Sequence, residues 1–180
     1  PTPSDGEILV RIKYVSLDPA MRGWVTEAKS YVPPVAIGET MRAYSVGLVE
    51  ASNNPAFKVG DAVQGLLGVQ DYAVSKGKGL VRVDPAKAPL ERWIGGLGMP
   101  GWTAYFGLLD VGQPKAGETV VVSAASGAVG SIVGQIAKIR GCRAVKVRTM
   151  GFDAFESVNV SNRGQFFADG VRLLSDRVEP

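Results

Sequence analysis

Histidine is absent from the 180-residue sequence, and there is one cysteine, Cys142. Those two shortages close off much chemistry. Without imidazole no Ser-His-Asp or Cys-His nucleophile system can be assembled, and a tetrahedral zinc site lacks its usual ligands. A lone cysteine also rules out an internal disulfide, which fits a reducing compartment. Cys142 itself reads as a small buried residue at the start of a strand. Any acid–base step is left to a carboxyl, a tyrosine, a lysine or water.

Long apolar runs are missing too. None is long enough to cross a bilayer, and no basic-then-apolar leader opens the chain. The first residue is Pro1 rather than Met, so the start reads as trimmed. The expectation is a soluble cytoplasmic protein with no membrane partner. Charge of one sign is not in large excess, with 20 Lys and Arg against 17 Asp and Glu, a net +3. The basic residues are scattered and form no stripe with aromatics, which argues against a nucleic-acid partner. With 46% hydrophobic and 21% charged residues there is ample material for a core. The length suits one good-sized domain or two small ones.

Residues 6–83 read as mainly β. In residues 7–15, Ile8, Val10, Ile12 and Tyr14 alternate with Arg11 and Lys13, the pattern of a half-buried strand. Asp18-Pro19 opens a short helical turn, with Asp18 as cap and Pro19 at its first position. Further strands are expected at 44–51, 62–67, 72–75 and 80–83. Many short strands punctuated by Gly and Pro suggest a barrel-like β unit. The texture changes at Pro85. Residues 90–97 and 103–109 look helical, separated by the breaker Gly98-Met99-Pro100-Gly101. A β-branched run at 119–123 suits a buried parallel strand. Residues 129–140 then place Val129, Ile132, Val133 and Ile136 on one helical face, and Gly141 stands where a C′ glycine belongs. With a second strand at 143–147 this makes one βαβ unit. The tail from Gly151 has no clear strand–helix alternation.

Between the first strand and the helix lies Ala124-Ala125-Ser126-Gly127-Ala128-Val129-Gly130, of the form A-x-x-G-x-x-G. A dinucleotide pyrophosphate needs unpaired backbone N–H groups at a helix N-terminus, approached without interference from a Cβ. Gly127 would permit that approach, and Gly130 would let the helix pack against the first strand. Ser126, Ala128 and Val129 complete the candidate cradle. A tight strand–helix turn in an unrelated α/β protein fits the same spacing. Cofactor choice is read at the end of the second strand, where an NAD enzyme usually places an acid. Here Val147-Arg148-Thr149-Met150 has none. Arg148 can meet the 2′-phosphate of NADP(H), or be a solvated surface arginine.

Several stretches resemble the zinc-free medium-chain dehydrogenase/reductases, in the branch of leukotriene B4 dehydrogenase, prostaglandin reductase and alkenal double-bond reductases. They include Leu17-Asp18-Pro19-Ala20-Met21-Arg22-Gly23-Trp24, Ile37-Gly38-Glu39, Asn54-Pro55-Ala56-Phe57, the run from Gly98 to Asp110, and Pro114 to Arg143. The resemblance spans roughly residues 5–145. It implies a mixed α/β chain with a GroES-like β domain over 1–110. After that come the first βαβ unit of a Rossmann domain over 111–150, incomplete as it stands, and a divergent tail over 151–180. It implies an NADP(H)-dependent enzyme that reduces the C=C bond of α,β-unsaturated aldehydes and ketones, and places Met99 and Thr103 near the nicotinamide. Two departures from the family pattern mark a substrate pocket: Ala20 stands where many members have tyrosine, and Val69 stands where many have tryptophan. Catalytic residues remain unassigned. A small enone or enal is the expected partner, and a homodimer the expected assembly. The sequence diverges where the family continues its nucleotide domain, which reads as truncation. Two alternatives follow: a catalytically impaired GroES-like module, and a quinone reductase.

Overall fold

The computed structural model describes residues 1–27, 32–146 and 171–174, with backbone alone for Lys146 and for 171–174. The chain divides into two compact units, Pro1–Gly95 and the part from Gly96 onward.

The first unit is built on an antiparallel sheet. Its strands are β1 (Ile8–Val15), β2 (Tyr44–Ser52), β3 (Ala62–Leu66), β4 (Tyr72–Ser75) and β5 (Val81–Val83), in the order β4-β1-β2-β3-β5. The period-2 alternation read in the sequence is what sorts the two faces. One face carries Ile8, Val10, Val49, Val63, Leu67 and Ala73, with Phe57 and Leu80 packed against them. The other carries Val46, Ala62 and Val83, covered by Leu90, Trp93 and Ile94 around the short helix α2 (Leu90–Trp93). Among the described residues the end strands β4 and β5 do not pair, so the expected barrel is an open sheet. Gly47 allows the tight β1–β2 contact, since a Cβ there would overlap the Arg11 carbonyl. The sheet's corner is tied by Asp61, whose carboxylate accepts from the Lys58 N–H (2.9 Å) and from Arg82 Nε (3.0 Å). The backbone bond from Lys58, and then Arg82, hold its pKa below the ordinary range of an aspartate.

Helix α1 (Ala20–Trp24) starts without the cap expected from Asp18. Pro19 is the cap residue, and Asp18 contributes its carbonyl, which accepts from Met21 N–H at 3.0 Å.

The second unit begins earlier than the division expected after residue 110. Helix α3 (Met99–Phe106) runs into a π-helical turn (Gly107–Gly112), and their residues Ala104 and Leu108 join Val120, Val122, Ala125, Val133 and Ala137 in one core. Those side chains come from β6 (Thr119–Val122), from the turn after it and from α4 (Ala128–Ile139), so α3 belongs with them. The supposed breaker 98–101 is the start of α3: Gly98 is its cap, and Pro100 sits in the first turn, where its missing N–H costs nothing. Gly101 is needed there because a Cβ would meet the Gly96 carbonyl. Helix α2 stops at Trp93, short of the expected 97. Strand β6 pairs in parallel with β7 (Arg143–Lys146). A strand the sequence did not suggest, β8 (Val171–Leu174), pairs antiparallel with the other edge of β6. Gly141 has the left-handed φ of +76° of a C′ glycine, and Cys142 is buried just ahead of β7.

Candidate functional site

The strand–turn–helix seen in the sequence is present in the structure, and its details refine the roles of the two glycines. Strand β6 ends at Val122, and Ala125 is buried in the core, so the turn is anchored from below. Ala124 adopts a left-handed φ of +46°, uncommon for a residue with a Cβ. Its carbonyl accepts from the Gly127 N–H at 2.8 Å, which closes the turn and engages that amide within the protein. Gly127 is the cap of α4, in extended conformation, with no side chain satisfying the helix end.

The first turn of α4 therefore leaves the N–H groups of Ala128, Val129 and Gly130 without an intrahelical acceptor. Ser131 N–H is the first to find one, the Gly127 carbonyl at 3.0 Å. Residues 126–129 are exposed and Gly130 is half-buried, so this end of the helix is accessible from solvent. No acidic side chain occupies the first turn, and the helix dipole adds partial positive charge there. The arrangement suits an anion.

Gly130 packs against the turn itself, where sequence reasoning had expected the first strand. A Cβ on it would lie 2.6 Å from the Ala124 oxygen and 3.0 Å from Ala125 Cα. A Cβ on Gly127 would meet only the Ala124 oxygen, at 3.1 Å. Gly130 thus serves the fold, and Gly127 keeps space open on the exposed side. Val129, expected on the core face, is 36% exposed at the helix end, while Val133, Gly134 and Ala137 are the buried residues.

Met99 and Thr103 lie one turn apart on α3, so they share a face. Met99 is exposed and Thr103 half-buried, whereas Gly101 and Ala104 are buried. Arg148 lies outside the described residues.

The two pocket candidates fall at one end of the first unit's sheet. Ser16 N–H donates to the Tyr44 carbonyl (2.8 Å), which places the segment leading to Ala20 beside the start of β2. On the opposite flank Gly68 N–H donates to Ala43 O (3.1 Å), Val69 N–H to Met41 O (2.9 Å), and the buried Ser45 hydroxyl to Gly68 O (2.9 Å). Both Ala20 and Val69 are exposed. Neither the alternation of β2 nor the motifs had drawn attention to Tyr44, which stands between them. Among the described residues there is no group of three or more potential metal ligands, and no helix is long and apolar enough to cross a membrane.

An antiparallel β unit followed by a strand, a glycine turn and a helix that presents open amides defines a class, the two-part dinucleotide-dependent oxidoreductases. Comparison with known proteins agrees. Residues 1–83 match the family described as the N-terminal domain of oxidoreductase. The NADPH-dependent curcumin reductase of Escherichia coli K12 is 51% identical over 146 residues, which are 81% of this chain and 42% of that protein. Prostaglandin reductase 1 of Mus musculus is 45% identical over 148 residues, 81% of this chain and 43% of its own length. The crystal structure of CurA from Vibrio vulnificus in complex with NADPH superposes with a TM-score of 0.76 at 48% identity, covering 88% of this chain and 47% of that one. The chain belongs to the medium-chain dehydrogenase/reductase family, in the branch of these reductases. It spans less than half the length of the curated relatives it matches.

Proposed function

We propose that the chain is the GroES-like unit and leading nucleotide-binding segment of an NADPH-dependent reductase acting on the C=C bond of α,β-unsaturated aldehydes and ketones. The observation that carries this is the glycine turn: open amides at Ala128, Val129 and Gly130 on a helix end that no side chain caps. The cradle fits a pyrophosphate because a Cβ at Gly130 would displace the turn and one at Gly127 would intrude on its exposed side. When bound, NADPH supplies a hydride to the β-carbon of the enone. The protein's share is to hold and orient. The turn amides and Ser126 would bind the pyrophosphate, Arg148 the 2′-phosphate, and Met99 and Thr103 would lie toward the nicotinamide. Ala20 and Val69 would line the space for the enone, and small residues at both positions leave it roomy. The names of two relatives, NADPH-dependent curcumin reductase and 2-alkenal reductase (NADP(+)-dependent), support the same cofactor, and the second supports an unsaturated carbonyl substrate. A homodimer, and the two other readings raised by the sequence, rest on the resemblance alone.

The test is a fluorescence titration of the chain with NADPH and with NADH, followed by NADPH oxidation in the presence of a simple enone. Saturable NADPH binding tighter than NADH is the expected result. No binding of either nucleotide would remove the site assignment, and binding without turnover would favour the catalytically impaired reading.

A further inference from the structure

At the end of the β2–β3 ladder stands the Tyr44 hydroxyl, which no role so far accounts for. Tyr44 opens β2 and pairs with Leu66 of β3, while Val46 pairs with Gln64 and Leu48 with Ala62. By strand alternation Tyr44, Val46 and Leu48 share a face. Toward the Leu48 end that face is closed by Leu90, Trp93 and Ile94. Toward the Tyr44 end it opens: Leu66 is 66% exposed and Tyr44 half-buried. Among the described residues no hydrogen bond engages the Tyr44 hydroxyl. Ser45, on the opposite face, donates to the Gly68 carbonyl, and Gln70 Nε2 donates to the Leu67 carbonyl at 2.6 Å, while the buried Gln64 lies two positions along on the face of Tyr44. The backbone on both sides is fixed by the Ser16–Tyr44, Gly68–Ala43 and Val69–Met41 hydrogen bonds, so the phenol ring stands on a rigid strand between the Ala20 helix and the Val69 loop.

We propose that the Tyr44 hydroxyl is a substrate-contacting group that donates a hydrogen bond to the carbonyl oxygen of an enone lying against Ala20 and Val69. The proposal rests on the reading of those two residues as pocket residues. A phenol is suited to the task. It donates without carrying charge, its ring supplies apolar surface for the carbon skeleton, and a rigid aromatic costs little entropy to order. Ala20 and Val69 offer no donor, whereas the Tyr44 hydroxyl can distinguish an oxygenated ligand from a hydrocarbon.

The experiment is ligand-observed NMR on the full chain, titrating 2-cyclohexen-1-one and, as the partner lacking oxygen, cyclohexene. Tyr44→Phe removes one oxygen atom and keeps the ring opposite Leu66. It should weaken cyclohexenone binding about 5-fold, the effect of one neutral hydrogen bond, and leave cyclohexene unchanged. Val69→Trp fills the space and should weaken both ligands. Unchanged cyclohexenone affinity in Tyr44→Phe, with both ligands lost in Val69→Trp, would overturn the role of Tyr44 while keeping the pocket. Loss of both ligands in Tyr44→Phe would show a packing role and overturn the hydrogen bond. No effect of either substitution, or no binding of cyclohexenone by the parent chain, would remove the pocket and the Tyr44 proposal together.

Discussion

Replacing Gly130 by alanine sets two familiar effects against each other. Alanine is the better helix former, by about 1 kcal/mol in a helix interior and less in the first turn, where Gly130 sits. Against that, the new Cβ would lie 2.6 Å from the Ala124 oxygen, 3.0 Å from Ala125 Cα and 3.2 Å from the Ala124 carbonyl carbon, where ordinary contacts begin at 3.4 Å. All three atoms are backbone, so no side chain can swing aside. The turn cannot retreat cheaply either. Ala125 is 5% exposed in the core, and the Ala124 carbonyl is held by the Gly127 N–H at 2.8 Å. Overpacking of this kind costs about 1–3 kcal/mol. The clash outweighs the propensity gain, and Gly130→Ala should be less stable than the parent by about 1–2 kcal/mol. In a thermal melt that corresponds to roughly 2–4 °C per kcal/mol for a chain of this size. Gly127→Ala is the internal comparison: its Cβ meets one atom, at 3.1 Å, and should cost only a few tenths of a kcal/mol. A Gly130→Ala variant that melts with or above the parent would refute the reasoning, because it would show that the turn yields to the helix.

Gly127→Val should raise the NADPH dissociation constant by at least about 10-fold while the antiparallel sheet stays folded, as its far-UV spectrum would report; equal affinities would sink the site. Asp61→Asn addresses the lowered carboxyl. A folded-state pKa below the unfolded value gives stability that is present above the unfolded pKa and lost as pH falls through the folded one. The parent should therefore be the more stable at neutral pH, with the gap closing below about pH 4 in denaturation curves taken across the acid range; a constant gap would contradict the assignment. Gln64→Met removes a 2% exposed amide whose Oε1 has no hydrogen-bond partner, and should stabilise by about 1 kcal/mol in urea unfolding. A loss of that size would mean the amide is satisfied in solution.

What was legible in the sequence is what local rules decide. Alternation of apolar residues from Ile8 with Arg11 and Lys13 marked β1, and a β-branched run followed by a glycine turn and an apolar helical face marked β6 and α4. Gly141 worked as a stop signal because only its φ fits the C′ position. The failures share a cause, namely information held by distant partners. Gly98-Met99-Pro100-Gly101 reads as a break if Pro and Gly are taken as punctuation. The structure places Pro100 in the first turn and uses Gly101 for contact with Gly96. The π-helical turn has no local signature, and β8 is a strand because an edge of β6 was there to receive it. At the site the motif located the cradle, but not the bond that takes the Gly127 amide out of it. Tyr44 was passed over because only pairing with Ser16 and Leu66 puts it beside Ala20 and Val69.

The seat of Gly101 on Gly96 decides how the chain can be cut. A piece meant to carry the nucleotide turn by itself is tempting to begin just ahead of β6, at residue 111, where the motif starts to look like a Rossmann unit. Such a piece would lose Ala104 and Leu108, both 0% exposed, and leave Val120, Val122, Val133 and Ala137 bare on the side those two cover. It would be an aggregation-prone fragment, whatever the quality of its glycine turn. The workable cut lies ahead of Gly96, whose carbonyl closes on the first turn of α3, and it keeps the whole of that helix with the strand it shelters.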